Sequence, residues 1–343
     1  MSSSVNSKGL TLATAITSFW LAGQPFLYGA QKTSAAYFLK LPVSADAIAL
    51  GGSAVTLGRG IGSVTANPAT LGFITRQEVQ TTYGPHLEGY KFFNAAYGRR
   101  DAFINTGLSV TRVAADDFEG RDARGVPTGS FGAGDTAINL SAAKIFDSLS
   151  LGLNLKYISS AIENESASAL AVDAGMVFLG DRYAVYPCKF GFSIRNLGTG
   201  MKYISRSEPL PLTASAAFAI TIAGAVDAGI SISNNLTENA FEFGLGMNFT
   251  PVNNLSLSGG VSRDLSSAAS SDSAPLKLNA GIEFKMSDFT LGYGFVPMGE
   301  FGSLQRMSVS FRFGEKDGPK RKVRSNTKKY SRPPNNYGRQ LPK

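Results

Sequence analysis

The chain is short of the residue types on which most soluble catalytic sites depend. Its 343 residues include one cysteine, one histidine and one tryptophan, and only 17% are charged. A lone Cys188 cannot close an internal disulfide and reads as a small hydrophobe or turn residue. His86 stands in a Gly84-Pro85-His86 turn, where a solvated loop histidine is expected. It would be the only imidazole available as the base of a Ser-His-Asp hydrolase. Zinc sites built from His and Cys are excluded by count, and the reading is of a non-enzyme with no catalytic residue, metal or cofactor. After residue 30 no stretch has the length and continuous apolarity of a membrane-spanning helix.

The N-terminus reads as a secretory signal. Lys8 is the only charge in residues 1–30, an uncharged apolar run follows from Leu10 to Gly23, and Tyr28-Gly29-Ala30 offers a small residue for cleavage after Ala30. Gly23, Gln24 and Pro25 break the run short of the ~20 residues that a spanning helix needs.

What the chain does have is glycine, 38 residues of it, and a strict two-residue alternation. In 148–158, Leu149, Leu151, Leu153, Leu155 and Tyr157 share one face, and Ser148, Ser150, Gly152, Asn154 and Lys156 share the other. Segments 276–286 and 304–313 repeat the pattern. Period two marks strands with unlike faces. Here the large residues are Leu, Ile, Val, Phe and Tyr, as a lipid-facing band requires, and the other face is Gly, Ser, Asn and Ala with scattered charges. An exported chain without a spanning helix can cross a membrane only as a closed barrel. Fourteen such segments run from 78–84 to 304–314, an even number. The fold expected is all-β: a fourteen-stranded antiparallel transmembrane barrel over residues 78–314. Odd connections are mostly long, such as 114–133, 197–208 and 264–274, and even ones mostly short. That asymmetry predicts outward-facing odd loops in a Gram-negative outer membrane, with both mature termini periplasmic.

Residues 31–77 are small, glycine-rich and not strand-like, as suits a compact N-terminal plug. No Gly-Lys-Ser/Thr accompanies the glycines, so they do not read as a nucleotide loop. The run Ala36-Tyr37-Phe38-Leu39-Lys40-Leu41-Pro42-Val43, the block Ala49-Leu50-Gly51-Gly52 and the tripeptide Asn67-Pro68-Ala69, in this order and spacing, resemble the start of PorV/PorQ-type proteins. That family belongs with the long-chain fatty-acid transporter (FadL) barrels. The resemblance implies fourteen strands, an N-terminal hatch that includes Leu50, Gly51, Gly52, Asn67, Pro68 and Ala69, and a part in type IX protein export or surface attachment beside a translocon or cargo protein. The sequence departs from the family at Asp46, where Arg is frequent, at Gly58–Gly62, where acids are usual, and at Ala66, where an aromatic is usual.

Residues 315–343 differ from all that precedes. Ten Lys or Arg, among them Lys320, Arg321, Lys322, Arg324, Lys328 and Lys329, meet two acids, so the tail carries +8. The whole chain is also +8, and Lys8 would leave with the signal, so residues 31–314 carry about −1 and the high pI belongs to the tail. With Pro319, Pro333 and Pro334 and no apolar run the tail is expected to be disordered. A periplasmic address points its charge at peptidoglycan, anionic lipid or an acidic protein, and away from nucleic acid. Two further functions stay open: a FadL-like channel for hydrophobic small molecules, and a structural barrel tethered to the cell wall by its tail. The loops 114–132 and 264–274 are charged or Ser-rich, unlike an apolar trap, which favours export over transport.

Overall fold

The computed structural model describes residues 33–314 apart from 87–88, 164, 181–185, 204–205, 223, 266–275 and 299–301. The expected signal segment 1–30 and the basic tail 315–343, with Lys320, Arg321, Lys322, Arg324, Lys328 and Lys329, lie outside the described residues.

Fourteen antiparallel strands close into a barrel, β1–β7 and β10–β16. The first seven are β1 (Gln77–Pro85), β2 (Lys91–Arg99), β3 (Asn105–Arg121), β4 (Pro127–Phe146), β5 (Leu149–Ile162), β6 (Glu165–Leu179) and β7 (Cys188–Gly198). A two-residue ladder of β8 (Met201–Lys202) with β9 (Ser207–Glu208) covers the next connection. The second seven are β10 (Thr213–Ile222), β11 (Val226–Asn235), β12 (Ala240–Val252), β13 (Leu255–Asp264), β14 (Lys277–Met286), β15 (Phe289–Pro297) and β16 (Ser303–Phe313). Each strand pairs with its neighbours in sequence, and β1 closes on β16 from Gln77↔Phe313 to Tyr83↔Met307.

Burial runs opposite to that of a soluble sheet. On β5 Leu153 is 57% exposed while its neighbours Gly152 and Asn154 point inward, Asn154 at 1%. Outward Leu, Ile, Val and aromatic side chains form a band around the wall, the arrangement hydrocarbon selects. The inward face is mostly Gly, Ser, Asn and Thr because it packs on backbone that fills the lumen.

Two boundaries differ from the expected ones. The loop placed at 114–133 is a hairpin. β3 and β4 continue their ladder to Arg121↔Pro127, with irregularities at Ala115/Phe118 and Gly120/Arg121. Over Pro127–Thr136 of β4 both faces are exposed or half-buried, so the ladder persists without alternation. Asp122 closes the tip by accepting from the backbone N–H of Arg124 and Val126 at 2.8 and 2.9 Å. The strand expected from 209 begins at Thr213, since Pro209 and Pro211 lack the N–H that a central ladder needs.

Residues 33–76 run through the lumen from one end to the other. Ser34 is held at the odd-connection end, where its backbone N–H and Oγ donate to Glu238 and the Ala35 N–H donates to the Pro209 carbonyl. Arg76, just before β1, pairs with Asp288 in the β14–β15 turn at the opposite end. The described chain therefore starts and finishes at opposite ends of the barrel. Between them the hatch threads the lumen, and the expected mature termini, residues 31 and 343, lie outside the described residues.

Candidate functional site

The hatch is a string of single turns: η1 (Tyr37–Lys40), α1 (Ala45–Ala49), α2 (Ala54–Leu57), η2 (Ile61–Thr65) and η3 (Pro68–Phe73). Helices this short do not persist alone, and the wall supplies what they lack. Inward Ser and Asn side chains hydrogen-bond the hatch backbone at successive heights. Asn279 donates to the Ile48 carbonyl (2.7 Å), Asn154 to Val64 (3.2 Å), Ser193 to Ala66 (3.0 Å), Ser150 to Ala69 (2.7 Å) and Asn105 to Leu71 (2.9 Å). Ser308 accepts from the Ala45 N–H at 3.0 Å. The polar face of each strand is thus a set of partners for buried peptide groups.

The residues singled out in the sequence sit at the closest contacts of hatch and wall. Leu50 is buried with Ala47, Ala54 and Leu57 against Ala219 of β10. Gly51, at φ +53°, lies so near β12 and β13 that a Cβ would stand 2.7 Å from the Leu245 carbonyl oxygen and 2.8 Å from that of Val261. Gly52 follows at φ +88° beside Ser231. Asn67 is fully buried. It accepts from the Ala69 N–H at 3.0 Å and donates to the carbonyls of Val55 (2.9 Å) and Met176 (3.2 Å), so one amide caps η3, ties it to α2 and ties both to β6. Pro68 and Asn67 lie directly on Gly152 and Gly175 of the wall.

The departures from the PorV/PorQ pattern also have places. Asp46 accepts from the Arg59 N–H at 3.2 Å, inside the hatch, while the Arg59 side chain reaches Asp227 on β11 at 2.6 Å. The glycine stretch passes Glu78 of β1, whose carboxylate accepts from the Ile61 N–H and pairs with Arg312 at 3.2 Å. Ala66 offers its carbonyl to Ser193 and borders the lumenal cavity.

The odd-connection end is latched by one carboxylate. Lys40 and Ser34 both converge on Glu238 in the β11–β12 connection, Lys40 at 2.6 Å. Burial by itself would raise the Glu238 carboxyl, but the Lys40 and Ser34 hydrogen bonds outweigh it and hold the group below its usual range.

Between the hatch and β10–β16 the lumen keeps a cavity of about 440 Å³. One side is apolar, with Leu41, Val43, Ile48, Val296 and Leu304. The other carries Arg195, Asn235, Glu242, Asp264 and Lys277. Beside it Lys156 pairs with Asp173 at 2.8 Å, both buried, and Asp173 also accepts from the Asn196 N–H at 2.7 Å where β6 and β7 slip register. These cavity residues were not singled out in the sequence. Their signal was present: each charged one falls on the inward parity of its strand.

His86 lies outside this region, at the end of β1. Burial first, and the neighbouring Arg306 cation second, lower its pKa, so it is neutral near pH 7.

No protein-family description and no curated protein matches the sequence. Solved structures do match. The toluene transporter TodX of Pseudomonas putida aligns at TM-score 0.57 and 10% identity over 78% of this chain and 96% of its own. The Ralstonia pickettii toluene transporter TbuX aligns at 0.56 and 11% over 84% and 100%. A Pseudomonas aeruginosa FadL homologue aligns at 0.53 and 12% over 80% and 99%. The fold is that of FadL-type outer-membrane barrels. At these identities the likeness is one of fold, and it does not single out the PorV/PorQ branch.

Proposed function

We propose that the protein is a non-catalytic outer-membrane channel for hydrophobic small molecules, with the hatch as its internal barrier. The observation that carries this reading is the cavity of about 440 Å³ between hatch and wall, within the ~300–1,000 Å³ of small-molecule sites. It lies at the end of the barrel where Glu238 and Met298 of the odd connections meet the hatch, and its apolar side is supplied jointly by hatch and strands. The resemblance in fold to TodX and TbuX supports the same reading. Uptake of radiolabelled monoaromatic and alkyl compounds by cells with and without the gene tests it. Faster entry that needs the gene is expected; equal entry of every compound would overturn the channel.

A second reading, a partner barrel in protein export or surface attachment, is favoured by the charged β3–β4 hairpin, whose tip carries Glu119, Arg121, Asp122 and Arg124, all exposed. Purification from native membranes separates the two. A stoichiometric translocon or cargo protein would favour export, and bound small molecule without protein partner would favour transport. In either case the tail would engage peptidoglycan or anionic lipid.

A further inference from the structure

The charges on the cavity lining cancel. Among its described residues three cations, Lys40, Arg195 and Lys277, stand against three carboxylates, Glu238, Glu242 and Asp264. Lys40 holds Glu238 at 2.6 Å. Arg195 is balanced by Asp173 and Glu242 together. Strand register sets Lys277 opposite Ser262, one diagonal step from Asp264 on the inward face, a step that a long side chain spans. Asp264 is not free either. The apolar part of the lining gathers around Ile48, Val296, Met298 and Leu304.

That balance decides between head groups. A free carboxylate would give up its hydration, which costs an ion several kcal/mol inside a protein, and every cation of the lining already has a carboxylate within reach. Pairing with one of them would displace a wall carboxylate and leave that group as the uncompensated ion. An ammonium meets the mirror-image obstacle. A neutral hydroxyl meets neither. Glu242 and Asp264, both half-buried, face each other across β12 and β13, so their oxygens collect at one height of the wall. A carboxylate offers about four lone-pair sites, more than one cationic partner fills. An O–H can therefore donate to this pair in a charge-assisted hydrogen bond and leave the existing pairs in place. An ether, with an acceptor alone, cannot.

Resting on the channel reading above, we infer that the cavity selects uncharged amphiphiles that join a hydroxyl donor to an apolar body: the hydroxyl donates to the Glu242–Asp264 pair, and the body lies on Ile48, Val296 and Leu304. Free carboxylic acids and amines, ionised at pH 7, are turned away by the neutrality of the wall.

Four probes with one phenyl body test this by titration calorimetry at pH 7 on the full-chain protein in detergent: 2-phenylethanol, its methyl ether, 3-phenylpropionate and 2-phenylethylamine. Phenylethanol should bind about tenfold tighter than each of the other three. Two variants shift the balance by one charge in opposite directions. Glu242→Gln leaves three cations against two carboxylates, so phenylpropionate should gain about tenfold while phenylethanol weakens. Lys277→Met leaves two cations against three carboxylates, so phenylethylamine should gain about tenfold and phenylpropionate should not. Damage to the structure alone would weaken all four probes together. A gel shift between unheated and boiled samples checks that the variants are folded, and the ligand series on the unmodified protein stands without them. The ether or either ion binding the unmodified protein as tightly as phenylethanol would overturn the inference while leaving a channel. Binding of none of the four would also overturn it, and only a failed uptake experiment would remove the channel reading as well.

Discussion

Gly175 on β6 lies directly beneath the side chain of Asn67, so that a Cβ at 175 would run into the Asn67 Oδ1 and its carbonyl carbon. The hatch and the barrel are keyed to each other at this point, with no room for one methyl group. Gly175→Ala should therefore unseat η3 at a cost of about 1–3 kcal/mol. Gly259→Ala, whose Cβ would meet nothing nearer than 3.9 Å, is the control. The temperature at which the fast-migrating unheated band disappears should fall for Gly175→Ala and stay put for Gly259→Ala.

Asn67→Ala removes the same contact from the other side. It leaves the carbonyls of Val55 and Met176 without the donor they have now, at about 1–3 kcal/mol for each group not rescued by water. The barrel should remain folded, while protease should cut residues 50–75 in the variant and not in the parent. An unchanged digestion pattern would show that the amide is dispensable.

Acid should release the Glu238 latch. Glu238 is held below its ordinary carboxyl range by Lys40 and Ser34, so its contribution is fully present above the unfolded value of about 4.3. The contribution is lost as pH falls through the lower folded value. A spin label on Tyr37→Cys, the lone native Cys188 being buried, should gain mobility as pH is lowered past the ordinary carboxyl range. In Glu238→Gln it should be mobile at every pH.

The lipid face makes a fourth prediction. Leu153→Arg places a cation among the outward residues of β5, and near mid-membrane this costs about 2–4 kcal/mol. Assembly yield in outer-membrane fractions should drop sharply. Leu236→Arg, exposed in the β11–β12 connection, should be tolerated.

How much of this was legible in the sequence follows from what surrounds each part. Lipid imposes parity on β5 from outside, so Leu149 to Tyr157 announced their own strand, and all fourteen strands could be located in this way. Beyond the membrane nothing imposes parity, and the ladder from Ala115 to Arg121 looked like loop. Asn67, Gly51 and Gly52 stood out as a motif, but their partners are distant in the chain: Met176 for Asn67, Leu245 and Val261 for Gly51. Spacing along one strand cannot report such pairings. The cavity's charged residues read as scattered because Arg195, Glu242, Asp264 and Lys277 come from four strands and meet only when the barrel closes.

The path of residues 33–76 also constrains assembly. Because the hatch enters at one rim and leaves at the other, the finished molecule is a hoop closed around its own leading segment. The seam of the hoop joins Gln77 to Phe313, two of the most widely separated positions among the described strands. Contacts so distant in sequence form slowly, and a seam sealed around an empty lumen would leave the hatch to thread a finished ring. Assembly is simplest if the hatch is already lying on the open sheet when β1 meets β16, the inward Asn and Ser side chains acting as a template for the segment they will enclose.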